Sequence, residues 1–112
     1  MGKVLQIRVI ATTWDEELVE DYWPRLAQMA FEVPIKLEKR GVLEMVRALA
    51  DGLEFMKWPE ARKERMGPGI REAAKIRQEI ERALSDWDPK KANDLSNRLE
   101  ETLDELERSY VA

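Results

Sequence analysis

The sequence predicts a mainly helical α+β domain. We expect about four helices, the last two forming an antiparallel hairpin, with one or two short strands towards the N-terminus. Two observations carry this expectation. Apolar residues recur at steps of three and four through most of the chain, and only Lys3–Ala11 and Phe31–Leu37 alternate instead. The 112 residues are also 44% hydrophobic and 38% charged. That charged share, against a usual value of about 25%, suits narrow helices with a core stripe and a solvated back. The length fits a single domain over residues 1–112.

Lys3–Ala11 (KVLQIRVIA) reads as a strand. Leu5, Ile7, Val9 and Ala11 point one way, and Val4, Gln6, Arg8 and Ile10 the other. A helix follows. Thr13 is its expected N-cap, Glu16 takes the capping-box position, and Asp15, Glu16 and Glu17 complement the helix dipole. Leu18, Tyr22, Leu26 and Met29 keep one helical phase across Pro24, which favours one kinked helix over two. Phe31, Val33, Ile35 and Leu37 then share one face, with Pro34 confining any strand to an edge. This stretch is either a second strand completing a βαβ unit or an extended connector.

Glu38–Met56 is the expected central helix. Its stripe is Val42, Met45, Leu49, Leu53 and Met56, widened by Leu43, Val46 and Ala50. Trp58-Pro59 opens a short charged helix that should end at Gly67, with Gly67-Pro68-Gly69 as a tight interhelix turn. The pattern resumes at Ile70, Ala73, Ile76, Ile80, Ala83 and Trp87. Asp88 as N-cap and Pro89 at the first position start the last helix. Its seam of Ala92, Leu95, Leu99, Leu103, Leu106 and Tyr110 has heptad-like steps. Trp14, Trp23, Trp58 and Trp87 all fall near expected boundaries. There they can seal helix ends with the indole N–H near water, or anchor a partner.

Composition excludes several chemistries. Without Cys there is no thiolate nucleophile and no sulfur-ligated metal. Without His there is no Ser-His-Asp catalysis, so any metal site must be all-oxygen. The net charge of −4 disfavours polyanions, so no nucleic acid is expected as partner. No window approaches the roughly 20 apolar residues of a membrane span, and the N-terminus lacks the apolar run of a signal peptide. A cytoplasmic protein with no membrane partner is expected.

Charge is unevenly placed. Residues 57–82 carry eight basic and five acidic groups, between two acidic blocks. Arg62, Lys63, Arg65, Arg71 and Lys75 flank the expected Gly67–Gly69 turn, where a helix start could bind an anion. The acids Asp15, Glu16, Glu17, Glu20 and Asp21 are the densest carboxylate group. Within it, Glu16-Glu17-Leu18-Val19-Glu20 resembles the E-E-x-x-E element of the all-α MazG-type nucleotide pyrophosphatases. The resemblance implies Mg²⁺ held jointly with an E-x-x-D element on the next helix, for pyrophosphate hydrolysis. Here Ala48-Leu49-Ala50-Asp51 has Ala where the first acid would stand, and Asp51 with Glu54 offers a substitute pair. Glu101 and Asp104 have the right spacing but lie much further along the chain. A leading strand also departs from that family's all-helical plan.

The leading expectation is a non-enzymatic interaction or assembly protein without a cofactor. Its partner is a second copy in a homodimer, or another protein, through Leu5, Ile7, Val9, Trp23, Leu99 and Leu103. An unpaired strand and a long helical seam motivate this. The alternative is a Mg²⁺-dependent hydrolase of a nucleotide or other phosphate-containing small molecule, using Glu16, Glu17, Glu20, Asp51 and Glu54.

Overall fold

The computed structural model describes residues 11–13, 15–32 and 40–110. Among these residues there are five helices and no strand: α1 (Glu16–Tyr22), α2 (Pro24–Phe31), α3 (Val42–Phe55), α4 (Glu60–Ser85) and α5 (Pro89–Arg108). The α+β class is therefore corrected to all-α. Most of Lys3–Ala11 and Phe31–Leu37 lies outside the described residues. The parts that are described are not strand: Ala11 is irregular, Phe31 ends α2 and Glu32 is a turn. The helices bury their stripes on one another in a shared core.

α4 and α5 form the expected antiparallel hairpin and make the largest helix–helix contact. α3 packs on α4, α2 on α3 and α5, and α1 on α2. The molecule is elongated, 51 × 27 × 25 Å. Leu26, Met29, Met45, Leu49, Met66, Ile70, Ile76, Leu99 and Leu103 are fully buried in one shared core, and no described polar side chain is buried. Leu49 lies where the central stripe put it, whereas Leu53 is only partly buried.

Two proline positions reverse the sequence expectation. At Pro24 the helix breaks rather than kinks. Trp23 sits at φ −132°, ψ 62°, outside the helical region, and Pro24 becomes the first residue of α2. A proline disfavours helical geometry in the residue before it, and its own missing donor costs nothing at a helix start. At Gly67-Pro68-Gly69 the opposite happens: α4 runs straight through for 26 residues. Neither Gly67 nor Gly69 adopts the positive φ of a helix-ending cap. Instead, α5 passes so close that a Cβ on Gly69 would stand 2.6 Å from Leu106 Cδ2. The segment is a point of close helix approach, with Pro68 facing solvent.

The expected helix at Glu38–Met56 begins only at Val42, after Gly41 as N-cap. The α4–α5 turn behaves as the sequence indicates. Asp88 accepts the Lys91 N–H at 3.1 Å and Pro89 opens α5. Before it, the N–H of Asp88 donates to Ala83 O and that of Trp87 to Leu84 O, at 2.8 and 3.1 Å. This is the paired bonding of a Schellman ending, with Trp87 at φ 57° in the position glycine usually fills.

Candidate functional site

The N-termini of α2 and α3 are capped from a distance. Trp23 precedes α2 and supplies no side-chain cap. Glu107, near the end of α5, accepts the backbone N–H groups of Arg25 and Leu26 at 3.0 and 3.1 Å. The indole N–H of Trp23 donates to Asp104 at 2.8 Å, one turn earlier on α5. Gly41 likewise has no side chain to cap α3. The Thr13 hydroxyl accepts the Val42 N–H at 2.9 Å, and the Glu16 carboxylate accepts that of Arg40 at 3.0 Å. The N-cap of α1 is Asp15, which accepts the Glu17 N–H. Thr13 and Glu16 therefore form no capping box on α1, and the expected boundary is corrected. These bonds fasten the α1–α2 corner to α5 and residues 11–13 to α3.

The fastening frames a cavity of about 450 Å³. α1 contributes Leu18, Val19 and Tyr22, followed by Trp23. α3 contributes Val42, Leu43 and Glu44, and α4 contributes Ile80 and Leu84. α5 contributes Ala92, Asn93, Ser96, Leu99 and Glu100. Ala11, Thr12, Thr13 and Asp15 also line it. Among the described residues the lining is mostly apolar, and its charged members are Asp15, Glu44 and Glu100. Leu18 and Tyr22 are also exposed to solvent, Tyr22 at 66%. The size lies within the range of about 300–1,000 Å³ usual for ligand pockets.

The acids proposed as metal ligands are not gathered. Among the described residues there is no group of three or more Asp or Glu that could hold a metal ion. Glu16 faces the Arg40 backbone. Asp51 and Glu54 lie seven and ten residues beyond Glu44 on α3, roughly 10–15 Å further along the helix. Asp104, part of the distant E-x-x-D spacing, is the acceptor for Trp23.

The anion site loses its geometric basis, because continuous α4 offers no free helix start at Gly67–Gly69. Arg62 instead stacks over Trp58 and Tyr110 at 5.9 and 5.4 Å. Arg65 donates to Ser109 O at 3.0 Å. Both tie the start of α4 to the chain after α5. Lys63 is half-buried, and Arg71 and Lys75 are exposed on α4.

Of the proposed interface residues, Leu5, Ile7 and Val9 lie outside the described residues. Trp23, Leu99 and Leu103 are buried in the chain's own core. The α5 seam faces α4. Sequence reasoning missed the cavity itself. Its signal was the excess width of the apolar stripes, since Leu43 and Leu18 add area beyond what one neighbouring helix covers. No protein-family model, curated protein or solved structure matches the chain.

Proposed function

We propose that this chain is a non-enzymatic interaction module whose α1–α3–α5 groove takes up an apolar, Lys- or Arg-bearing segment of a protein. A second copy, giving a homodimer, or a different protein is the source of that segment. The observation that carries the reading is the lining: apolar walls with three carboxylates and no Lys or Arg among the described lining residues. Apolar side chains entering the groove leave water, at about 25 cal/mol per Å² buried. A cation at the edge meets Asp15, Glu44 or Glu100. A polyanion meets the same carboxylates and is repelled.

The test is to pan a displayed peptide library on the full chain, with Ala92→Trp as a groove-filling counter-selection. Selected peptides should combine apolar residues with Lys or Arg and bind Ala92→Trp at least about tenfold more weakly, some 1.4 kcal/mol. Peptides that bind both proteins equally, or no selection at all, overturn the reading.

A further inference from the structure

We propose that the groove's partner is a second copy of this chain, and that the group it takes up is Trp87 at the α4–α5 turn, each copy lending its Trp87 to the other's groove. The inference rests on the groove reading above and names the source of the segment. Three observations lead to it. The first is the state of Trp87 itself. It holds φ 57° and is 58% exposed. A left-handed position favours glycine, and a mostly solvated indole contributes little burial to offset the backbone strain. Its place is nevertheless fixed. The Trp87 N–H donates to Leu84 O at 3.1 Å, and the Asp88 N–H to Ala83 O at 2.8 Å. A residue held rigidly in a strained geometry, with its apolar surface outward, is pre-organised for a contact. Tryptophan is among the side chains most enriched where such contacts carry binding energy.

The second observation is the position of the groove. Leu84 lies three residues before Trp87 and Pro89 two residues after it, and both line the groove. Ala92, Asn93 and Ser96 continue the lining along α5. Plug and socket therefore stand side by side at one end of the molecule. That is the arrangement a twofold axis needs: half a turn brings each onto the other, and both contacts form at once. The third observation is charge. Lys90 and Lys91, both exposed, follow Trp87 on the first turn of α5. Of the two acids in the same turn, Asp88 is engaged as the α5 cap, which leaves Asp86. On the groove side, Asp15, Glu44 and Glu100 are lining residues, and Glu17, Glu20 and Asp21 are exposed on the adjoining α1. The lysines that accompany Trp87 to the partner's groove meet these carboxylates.

The test is sedimentation of the full chain at about 100 µM, where a dissociation constant of about 10 µM pairs most molecules. The parent should sediment at twice the chain mass. Trp87→Gly and the groove-filling variants Ala92→Trp and Ser96→Phe should each weaken association at least about tenfold. Ser96 is half-buried, so its variant reports on the groove even where Ala92→Trp disturbs the core. Phe55→Ala removes an exposed ring outside the described lining and should leave association unchanged. Trp87→Gly also separates binding from folding. In dilute solution, where the parent is monomeric, this variant should resist urea at least as well as the parent while having lost the dimer. A tryptophan with a purely structural role would lose both.

A monomeric parent, or a Trp87→Gly chain that pairs as the parent does, overturns the proposal. Loss of pairing in Trp87→Gly, with none in a folded groove variant, puts the Trp87 contact outside the groove and overturns it too. The two readings fail separately. Peptides selected on a monomeric parent leave the interaction module and remove the exchange of Trp87. A dimer lost in both Trp87→Gly and Ser96→Phe, with no peptide selected, makes the groove a self-assembly surface and removes the external segment.

Discussion

Glu107 holds two backbone donors of α2 and lies 3.9 Å from the Arg25 guanidinium, with its own side chain only 16% exposed. Its role resembles an N-cap, supplied from 81 residues away in sequence. Removing a cap typically costs about 0.5–2 kcal/mol, and hydrogen bonds to a charged group sit at the upper end. Glu107→Ala should therefore lower stability by about 1–2 kcal/mol in urea unfolding, and Glu107→Gln by less, because the amide oxygen can still accept. Trp87 offers the opposite experiment. It occupies a left-handed position at φ 57° while 58% exposed. An L-residue there costs roughly 1–2 kcal/mol that glycine does not incur. Trp87→Gly should raise the unfolding midpoint, by up to about 1 kcal/mol after the lost partial packing and the extra chain entropy. A fall in stability would mean that the indole packs more than its exposure suggests.

For the helices, the decisive segment is Gly67-Pro68-Gly69. A proline inside a helix costs about 3 kcal/mol, largely through the lost hydrogen bond and the clash with the preceding turn. Because Pro68 faces solvent inside continuous α4, Pro68→Ala should stabilise the protein by about 1–3 kcal/mol. In a turn, the same change would be neutral or destabilising. Gly69→Ala should destabilise by about 1–3 kcal/mol, the usual range for overpacking, because the added carbon meets both Leu106 Cδ2 at 2.6 Å and Leu106 Cγ at 3.0 Å. The pair separates helix propensity from helix packing at neighbouring positions. Gly41 is a second close approach: a Cβ there would collide with the Thr13 hydroxyl that caps α3. Gly41→Ala should disturb that cap and, with it, the part of the groove that Thr13 lines.

At the scale of the whole molecule, one core joins all five described helices, so its centre should answer for global stability. Leu49→Ala, at a fully buried site, should cost about 2–5 kcal/mol. Phe55→Ala, at 77% exposure, should stay within about 0.5 kcal/mol. The two measured side by side on one denaturant curve test whether α3 is central. Equal effects would contradict its burial pattern.

The sequence by itself determined the parts that depend on short-range periodicity and local capping. The α5 stripe from Ala92 to Leu106, the Asp88-Pro89 start, the α4–α5 hairpin and the burial of Leu49 were all legible, because each signal repeats or is satisfied within a few residues. Only the tertiary structure decided the two prolines. A proline or glycine signal is worth about 1–3 kcal/mol, similar to what close packing contributes, so neighbours settle the outcome. Beside Pro24, the α5 side chains Asp104 and Glu107 satisfy the groups that the break exposes, and the break stands. Beside Pro68, the close approach of Leu106 favours an unbroken helix lined with glycine. The groove follows the same logic. Leu18 and Leu43 widen their stripes without indicating what they line, and Thr13 and Glu16 look like caps for the helix that follows them. Their shared surface exists because both acceptors reach the start of α3, 24 to 29 residues later in the chain.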